Sequence, residues 1–203
     1  MQNEPAKLPV METFYTFQGE GLYTGTPAFF IRLAGCDVGC VWCDVKESWD
    51  AAKHPLVAVS DLVRSAKESG APIVVITGGE PAMYPLGELT DGIRANGQRT
   101  HIETSGAHPL SGTWDWITLS PKKFKSARSE VFAQADELKV IVFHKSDLEW
   151  AEVQSKKMTE NACLFLQAEW DKRDEISPLV VAYITQHPQW RLSVQIHKYL
   201  GVS

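Results

Sequence analysis

Cysteine is scarce in this chain, with 4 among 203 residues. So few thiols exclude the disulfide framework that holds small secreted domains together. Positive charge is also in short supply. Lys and Arg number 20 against 25 Asp and Glu, a formal net charge of -5, which argues against a surface built for nucleic acid. Long apolar runs are missing, and none approaches the roughly 20 residues that a membrane span needs. The opening MQNEPAKLPV lacks the apolar stretch of a signal peptide. Internal repeats and low-complexity segments are absent as well. What remains is 44% hydrophobic and 22% charged, the composition of a globular protein with enough apolar residues for a substantial core. One domain over residues 1–203 in a cytoplasmic, reducing setting is the expectation.

Strand and helix patterns alternate along the chain. AFFIRLAG (28–35), PIVVITGG (72–79), RTHIETSG (99–106), WDWITLSP (114–121), DELKVIVF (136–143), ACLFLQ (162–167) and WRLSVQIH (190–197) read as strands. SDLVRSAKESG (60–70), PLGELTDGIRANG (85–97), SDLEWAEVQSKK (146–157) and EISPLVVAYITQHP (175–188) read as helices, with Ser60 and Ser146 as N-cap candidates and Gly70 as a stop. Such alternation predicts an α/β fold with a mostly parallel sheet. A complete eightfold barrel takes about 250 residues, so the expected architecture is a partial (β/α) barrel of about six core parallel strands. The unusual stretches AGCDVGCVWCD, TGGEP, ETSG, SPKKFK, QAEWD and HKYLG each follow a strand. They therefore share the C-terminal rim, where α/β proteins build active sites.

Three of the cysteines, Cys36, Cys40 and Cys43, fall within LAGCDVGCVWCD (33–44) with the spacing C-x3-C-x2-C. Clustered thiolates hold zinc or an iron-sulfur cluster. A structural zinc site needs four protein ligands. His54 could complete a Cys3His set but lies in a loop without a partner histidine, and Cys163 sits in a strand where core packing is expected. Three thiolates on a four-iron cluster leave one iron open, and that iron can take a ligand offering both an amine and a carboxylate. S-adenosylmethionine has this chelating end. Gly35 and Gly39 permit the tight backbone that such a loop requires.

The cysteine spacing with Trp42, together with GGEP at 78–81, resembles the radical S-adenosylmethionine (SAM) superfamily. FYTFQGEGLYTGTPAFFIRLAGC, IETSG, LSPK and the closing WRLSVQIHKYLGVS resemble the 7-carboxy-7-deazaguanine synthase family within it, nearly end to end. The resemblance implies a radical SAM core and a lyase. Its substrate would be 6-carboxy-5,6,7,8-tetrahydropterin, and its product 7-carboxy-7-deazaguanine, formed with loss of ammonia on the route to 7-deazapurines such as queuosine. It further implies a [4Fe-4S] cluster, SAM, magnesium, an electron-donor protein and a homodimer. A glycyl-radical activase sharing the cluster and GGEP, and a non-enzymatic zinc- or cluster-binding interaction module, are the rival readings.

Carried over residue by residue, the resemblance makes Cys36, Cys40 and Cys43 the cluster ligands. Trp42, Cys43, Asp44, Gly79, Glu80, Ser105, Ser120, Pro121, Lys122 and Gln167 become cofactor contacts, with Gly79 admitting the methionine end and Glu80 orienting it. Ala168, Glu169 and Trp170 follow Gln167, although QAEW departs from the family's Gln-Pro pattern. Phe17, Gln18 and Gly19, Arg32, Thr77 and the terminal Ser203 are the substrate candidates. A guanidinium at Arg32 suits bidentate pairing with the substrate carboxylate, and Gln18 can both donate and accept. Glu20 is a weaker candidate. No protein side chain is singled out as directly catalytic. One departure concerns magnesium, a cation that takes oxygen ligands. The family carries a hydroxyl two places after the last cysteine, where this chain has Val45. Water, the Asp50 carboxylate, or weakened metal dependence would then be expected.

Overall fold

The computed structural model describes residues 6–202; Ser203 lies outside them. Nine strands form one sheet in the order β3-β1-β2-β4-β5-β6-β7-β8-β9. The strands are β1 (Lys7–Phe17), β2 (Pro27–Leu33), β3 (Leu56–Ala58), β4 (Ile73–Gly78), β5 (Arg99–Thr104), β6 (Trp116–Leu119), β7 (Glu137–Val142), β8 (Cys163–Ala168) and β9 (Trp190–Ser193). From β2 to β9 every neighbouring pair is parallel. The sheet is thus a partial barrel, with a short β9 as a seventh parallel strand beyond the six expected. Two antiparallel strands, β1 and β3, extend it at the other edge.

The helices are α1 (Val59–Ser69), α2 (Gly87–Ala95), α3 (Ser129–Gln134), α4 (Ser146–Ser155), α5 (Arg173–Ile184) and α6 (Ile196–Leu200). Alternation along the strands divides the sheet into two faces. Ile31, Leu33, Val74, Ile76, Leu138, Val140 and Leu166 point outward into one core with Leu62, Ala66, Ile93, Phe132, Ala151 and Val180 of the helices. Burying each such side chain contributes about 1.5–3 kcal/mol. The opposite face turns Glu12 and Phe14 of β1, Phe30 and Arg32 of β2, and Lys139 and Ile141 of β7 into a cavity. A strand that packs on one face and carries charge on the other is how this fold places polar chemistry inside a barrel.

Several elements differ from the sequence expectation. Helix α1 begins at Val59, with Ala58 as its N-cap, so Ser60 lies inside the first turn. Ser146 is likewise the first residue of α4, not its cap. Gly70 ends α1 in the left-handed region at φ 66°, as expected. The final strand stops at Ser193, and the expected strand residues Ile196 and His197 instead open α6. Cys163 is half-buried at the start of β8, not a core residue. No helix among the described residues is long and apolar enough to cross a membrane.

Candidate active site

The loop after β2 carries the three clustered cysteines. Gly35 and Gly39 adopt positive φ, 98° and 74°, which side-chain-bearing residues rarely tolerate. The loop is pinned by backbone bonds from Gly35 N to Ser48 O (2.6 Å) and from Cys36 N to Trp49 O (3.1 Å). Trp49 Nε1 donates to Cys43 Sγ at 3.4 Å. The turn after β4 is stitched to the same loop. Gly79 N donates to Leu33 O (3.0 Å) and Glu80 N to Gly35 O (2.8 Å). A methyl group on Gly79 would lie 2.2 Å from Gly35 O and 2.9 Å from Cys36 Cβ. That position needs glycine because the thiol loop packs directly on it.

Burial raises the Cys36 thiol, and it pushes Cys40 up to about 11 despite the nearby Lys122 ammonium. A metal centre that binds them must therefore displace their protons. Among the described residues no three His, Cys, Asp or Glu side chains are gathered closely enough to chelate one metal ion. A multi-iron cluster, whose cysteines bind different irons, does not require such gathering. The donor set, three thiols on one loop at a cavity, fits that cluster better than zinc. His54 is turned away, its Nε2 against Glu47 O at 2.8 Å.

All three cysteines open onto a cavity of about 520 Å³, within the size range of small-molecule sites. At the cysteine side it is lined by Trp42, Asp44, Gly79, Ser105, Ser120 and Lys122. Gln167, Ala168, Glu169 and Trp170 at the end of β8 continue the lining, and so do Phe17, Gln18, Gly19, Arg32 and Thr77. Arg32 and Thr77 are register partners on β2 and β4. Of the cluster, cofactor and substrate candidates that the resemblance named within the described residues, only Glu80 and Pro121 do not face the cavity. Glu80 is 1% exposed and acts from behind the wall. Its carboxylate accepts from Ala82 N (3.0 Å), Thr104 Oγ1 (2.5 Å), Ser105 N (2.8 Å) and Ser105 Oγ.

Lys122 donates to Ser120 O at 2.7 Å and Ser120 Oγ at 2.6 Å, and lies 5.5 Å from the Trp42 ring centre. Burial lowers its pKa. Asp44 is bonded at 2.5 Å to Lys198 of α6. Burial would raise Asp44, but Lys198 holds its carboxyl below the ordinary range. Lys198 also sits 5.2 Å from the Trp170 ring centre, so α6 ties the cysteine loop to the end of β8. Val45 lines the cavity, whereas Asp50 does not. The Asp50 carboxylate instead accepts from Ala52 N at 3.1 Å, so it is not in place to substitute for the missing hydroxyl.

Lys139 and Gln195 line the cavity without any signal drawn from them in the sequence, while Glu103, His197 and Lys198 lay in the rim stretches ETSG and HKYLG without being singled out. Glu20, the weaker candidate, also lines it. The signal for Lys139 was available, since a lysine inside the apolar run ELKVIV is out of place unless it faces a polar interior. His197 packs onto Gly19, where an added methyl would lie 2.1 Å from its Nδ1. Burial lowers the His197 pKa.

The radical SAM superfamily profile matches residues 30–124. A 7-carboxy-7-deazaguanine synthase of Flavobacterium psychrophilum is 52% identical over 195 residues, covering 96% of this chain and 92% of the relative. One from Synechocystis is 50% identical over 194 residues, with 96% and 93% coverage. The Escherichia coli K12 protein of the same name is 36% identical over 222 residues, with 96% and 99% coverage. A crystal structure of QueE from Escherichia coli superposes with a TM-score of 0.84 at 34% identity, covering 93% of this chain and 94% of that one.

Proposed function

The chain belongs to the 7-carboxy-7-deazaguanine synthases of the radical SAM superfamily, and on that premise we propose how its cavity is divided between cofactor and substrate. The enzyme acts in 7-deazapurine biosynthesis. The reaction is conversion of 6-carboxy-5,6,7,8-tetrahydropterin to 7-carboxy-7-deazaguanine with loss of ammonia. One observation carries this reading. The thiol loop and the GGEP turn, stitched together through Gly79, open onto one cavity whose opposite wall is charged and polar.

Cys36, Cys40 and Cys43 would hold a [4Fe-4S] cluster, and Gly79, Ser105, Lys122 and Gln167 would surround SAM. Together these groups supply, when bound, a 5'-deoxyadenosyl radical able to remove a carbon-bound hydrogen. The protein's own task is to orient and enclose. Gly79 leaves room for backbone contact with the methionine end. Glu80 fixes Ser105 beside it, and Trp42 and Trp170 offer apolar faces. Arg32 binds the substrate carboxylate, while Gln18, Glu20 and Glu103 face its nitrogen-rich edge. Holding the reacting carbon near the 5' carbon is the main catalytic contribution, because orientation alone can supply several kcal/mol. The working form is a homodimer supplied by an electron-donor protein.

Arg32 Nε is bonded to Glu12 at 2.7 Å, and its two terminal amino groups have no other partner among the described residues. Arg32 lines the cavity, so these groups are available to a carboxylate bound there. Arg32→Met should raise KM for the carboxypterin roughly 10- to 150-fold, the equivalent of about 1.5–3 kcal/mol for hydrogen bonds to a charged group. The experiment that tests the reading compares tetrahydropterins with and without the 6-carboxylate. Only the carboxylated one should turn over well. Equal turnover of both would overturn the assigned substrate.

Magnesium is the one implied component for which the residues present are a poor fit. The Val45 side chain offers no oxygen, its carbonyl already accepts from Ser48 N and Oγ, and Asp50 is engaged elsewhere. Turnover should therefore depend weakly on magnesium, and Val45→Thr should increase the dependence. A large magnesium stimulation of the unmodified enzyme, unchanged by the threonine, would refute this.

A further inference from the structure

A lysine with only 4% of its side chain exposed, in the middle of a strand, is costly unless paired. Lys139 on β7 is paired twice. Its Nζ donates to Glu20 Oε2 and, at 3.0 Å, to Glu103 Oε2. The network then closes on itself. Glu103 Oε1 accepts from Gln18 Nε2 at 2.9 Å, and Gln18 Oε1 accepts from Glu20 N at 3.1 Å. Gln195, at the entry to α6, donates to Glu20 Oε1 at 2.9 Å. The turn after β1, strands β5 and β7, and the start of α6 thus meet in one network around this ammonium group.

We propose that Lys139 is a positioning residue that holds Glu20 and Glu103 together as one fixed wall of the substrate end of the cavity. The role deepens the functional reading above and rests on it for its kinetic consequence. The electrostatics agree. Burial raises Glu20, but Lys139 outweighs it and the carboxyl falls to about 2. Burial lowers Lys139, but Glu103 and Glu20 outweigh it, so the ammonium persists above the ordinary lysine range. The other charged groups that act on this pair are Glu137, one pleat earlier on β7, His197 of α6, Lys122 after β6, and Asp44 of the cysteine loop. Glu137 is itself raised by burial and accepts from Leu22 N at 2.9 Å. None of these can replace Lys139 between the two carboxylates. Without it, two like charges face each other in a buried site, and one carboxyl takes up a proton.

The test replaces Lys139 in the intact, cluster-loaded enzyme with Met or with Arg. Lys139→Met should raise KM for the carboxypterin on the order of 100-fold, as expected when a buried pair loses one partner, with cluster absorbance unchanged. Its kcat/KM should climb with pH across roughly pH 6 to 8.5, because the carboxyl with the raised pKa must first lose its proton. The unmodified enzyme should show no such limb from these groups, and Lys139→Arg should restore most of the loss. A second readout needs no substrate. A folded-state carboxyl with a raised pKa stabilises at low pH and loses that contribution as pH rises. The melting temperature of Lys139→Met should therefore fall relative to the unmodified protein as pH rises from about 4.5, the ordinary carboxyl value, to about 8, and level off above that, whereas simple loss of packing would lower it equally at every pH.

If the unmodified enzyme does not act on the pterin, the functional reading fails, and the melting profile still decides the role of Lys139. If Lys139→Met does not fold, Lys139→Met/Glu20→Gln restores the original net charge at the site. That double variant should fold, lack the pH limb and keep the high KM. A pH-independent melting offset in Lys139→Met, or an unchanged KM in either variant, would overturn the proposal.

Discussion

Cys36→Ala, Cys40→Ala and Cys43→Ala should each yield a protein with sharply reduced iron content, no visible cluster absorbance after anaerobic reconstitution, and no detectable turnover. The effect is expected to be total because each thiol is assigned to a different iron, and the loop offers no spare donor. The fold itself should survive. The three residues sit on a connection between β2 and β3, while the main core lies on the far face of the sheet. Cys163→Ala is the control. Cys163 is half-buried on β8 and does not face the cavity, so its truncation should cost no more than a few kcal/mol and leave the iron in place. Iron loss in the Cys163 variant, or a full cluster in any of the other three, would undo the ligand assignment.

The second large effect is expected at Glu80. Four donors converge on its carboxylate, and two of them are the backbone N–H groups of Ala82 and Ser105. Glu80→Ala leaves buried donors without partners, at about 1–3 kcal/mol each. The expected total is about 3–5 kcal/mol, or a drop in melting temperature of roughly 2–4 °C per kcal/mol for a protein of this size. The turn it anchors also seats Gly79 against the cysteine loop. SAM affinity should therefore fall by at least about tenfold even in protein that remains folded, while Glu80→Gln, which can still accept from some of these donors, should lose less. Equilibrium binding of SAM to the cluster-loaded variants, with parallel melts, checks both parts. Glu80→Ala with unaltered SAM affinity would show that the turn does not depend on this carboxylate.

The parts of the fold readable from sequence were those whose local pattern and tertiary role agree. PIVVITGG is β-branched and buried, and it forms β4; its GG turn then meets the cysteine loop as the spacing suggested. The loop itself was the clearest feature, since three thiols at fixed spacing have few structural uses. Other parts were hidden for physical reasons. β1 carries exposed polar residues and a proline, so nothing in KLPVMETFYTF separates it from a loop until β2 and β3 pair with it. WRLSVQIH has the composition of one long strand, yet Ile196 N donates to Gly19 O (3.1 Å), and the chain turns into α6 to reach that partner. Lys139, Glu103 and Gln195 come from three distant segments. Their shared network exists only after the barrel assembles, and each alone resembles an ordinary charged or polar residue.

The most direct measurement is product analysis. Anaerobically reconstituted enzyme is incubated with a one-electron reductant, SAM and 6-carboxy-5,6,7,8-tetrahydropterin, and the reaction is analysed by mass spectrometry. The account predicts a species with the mass and fragmentation of 7-carboxy-7-deazaguanine, together with released ammonia. The product should be absent when reductant or SAM is omitted, and absent for Cys40→Ala. A colourless protein with one tightly bound zinc, or a brown protein that cleaves SAM but leaves the pterin unchanged, would contradict it.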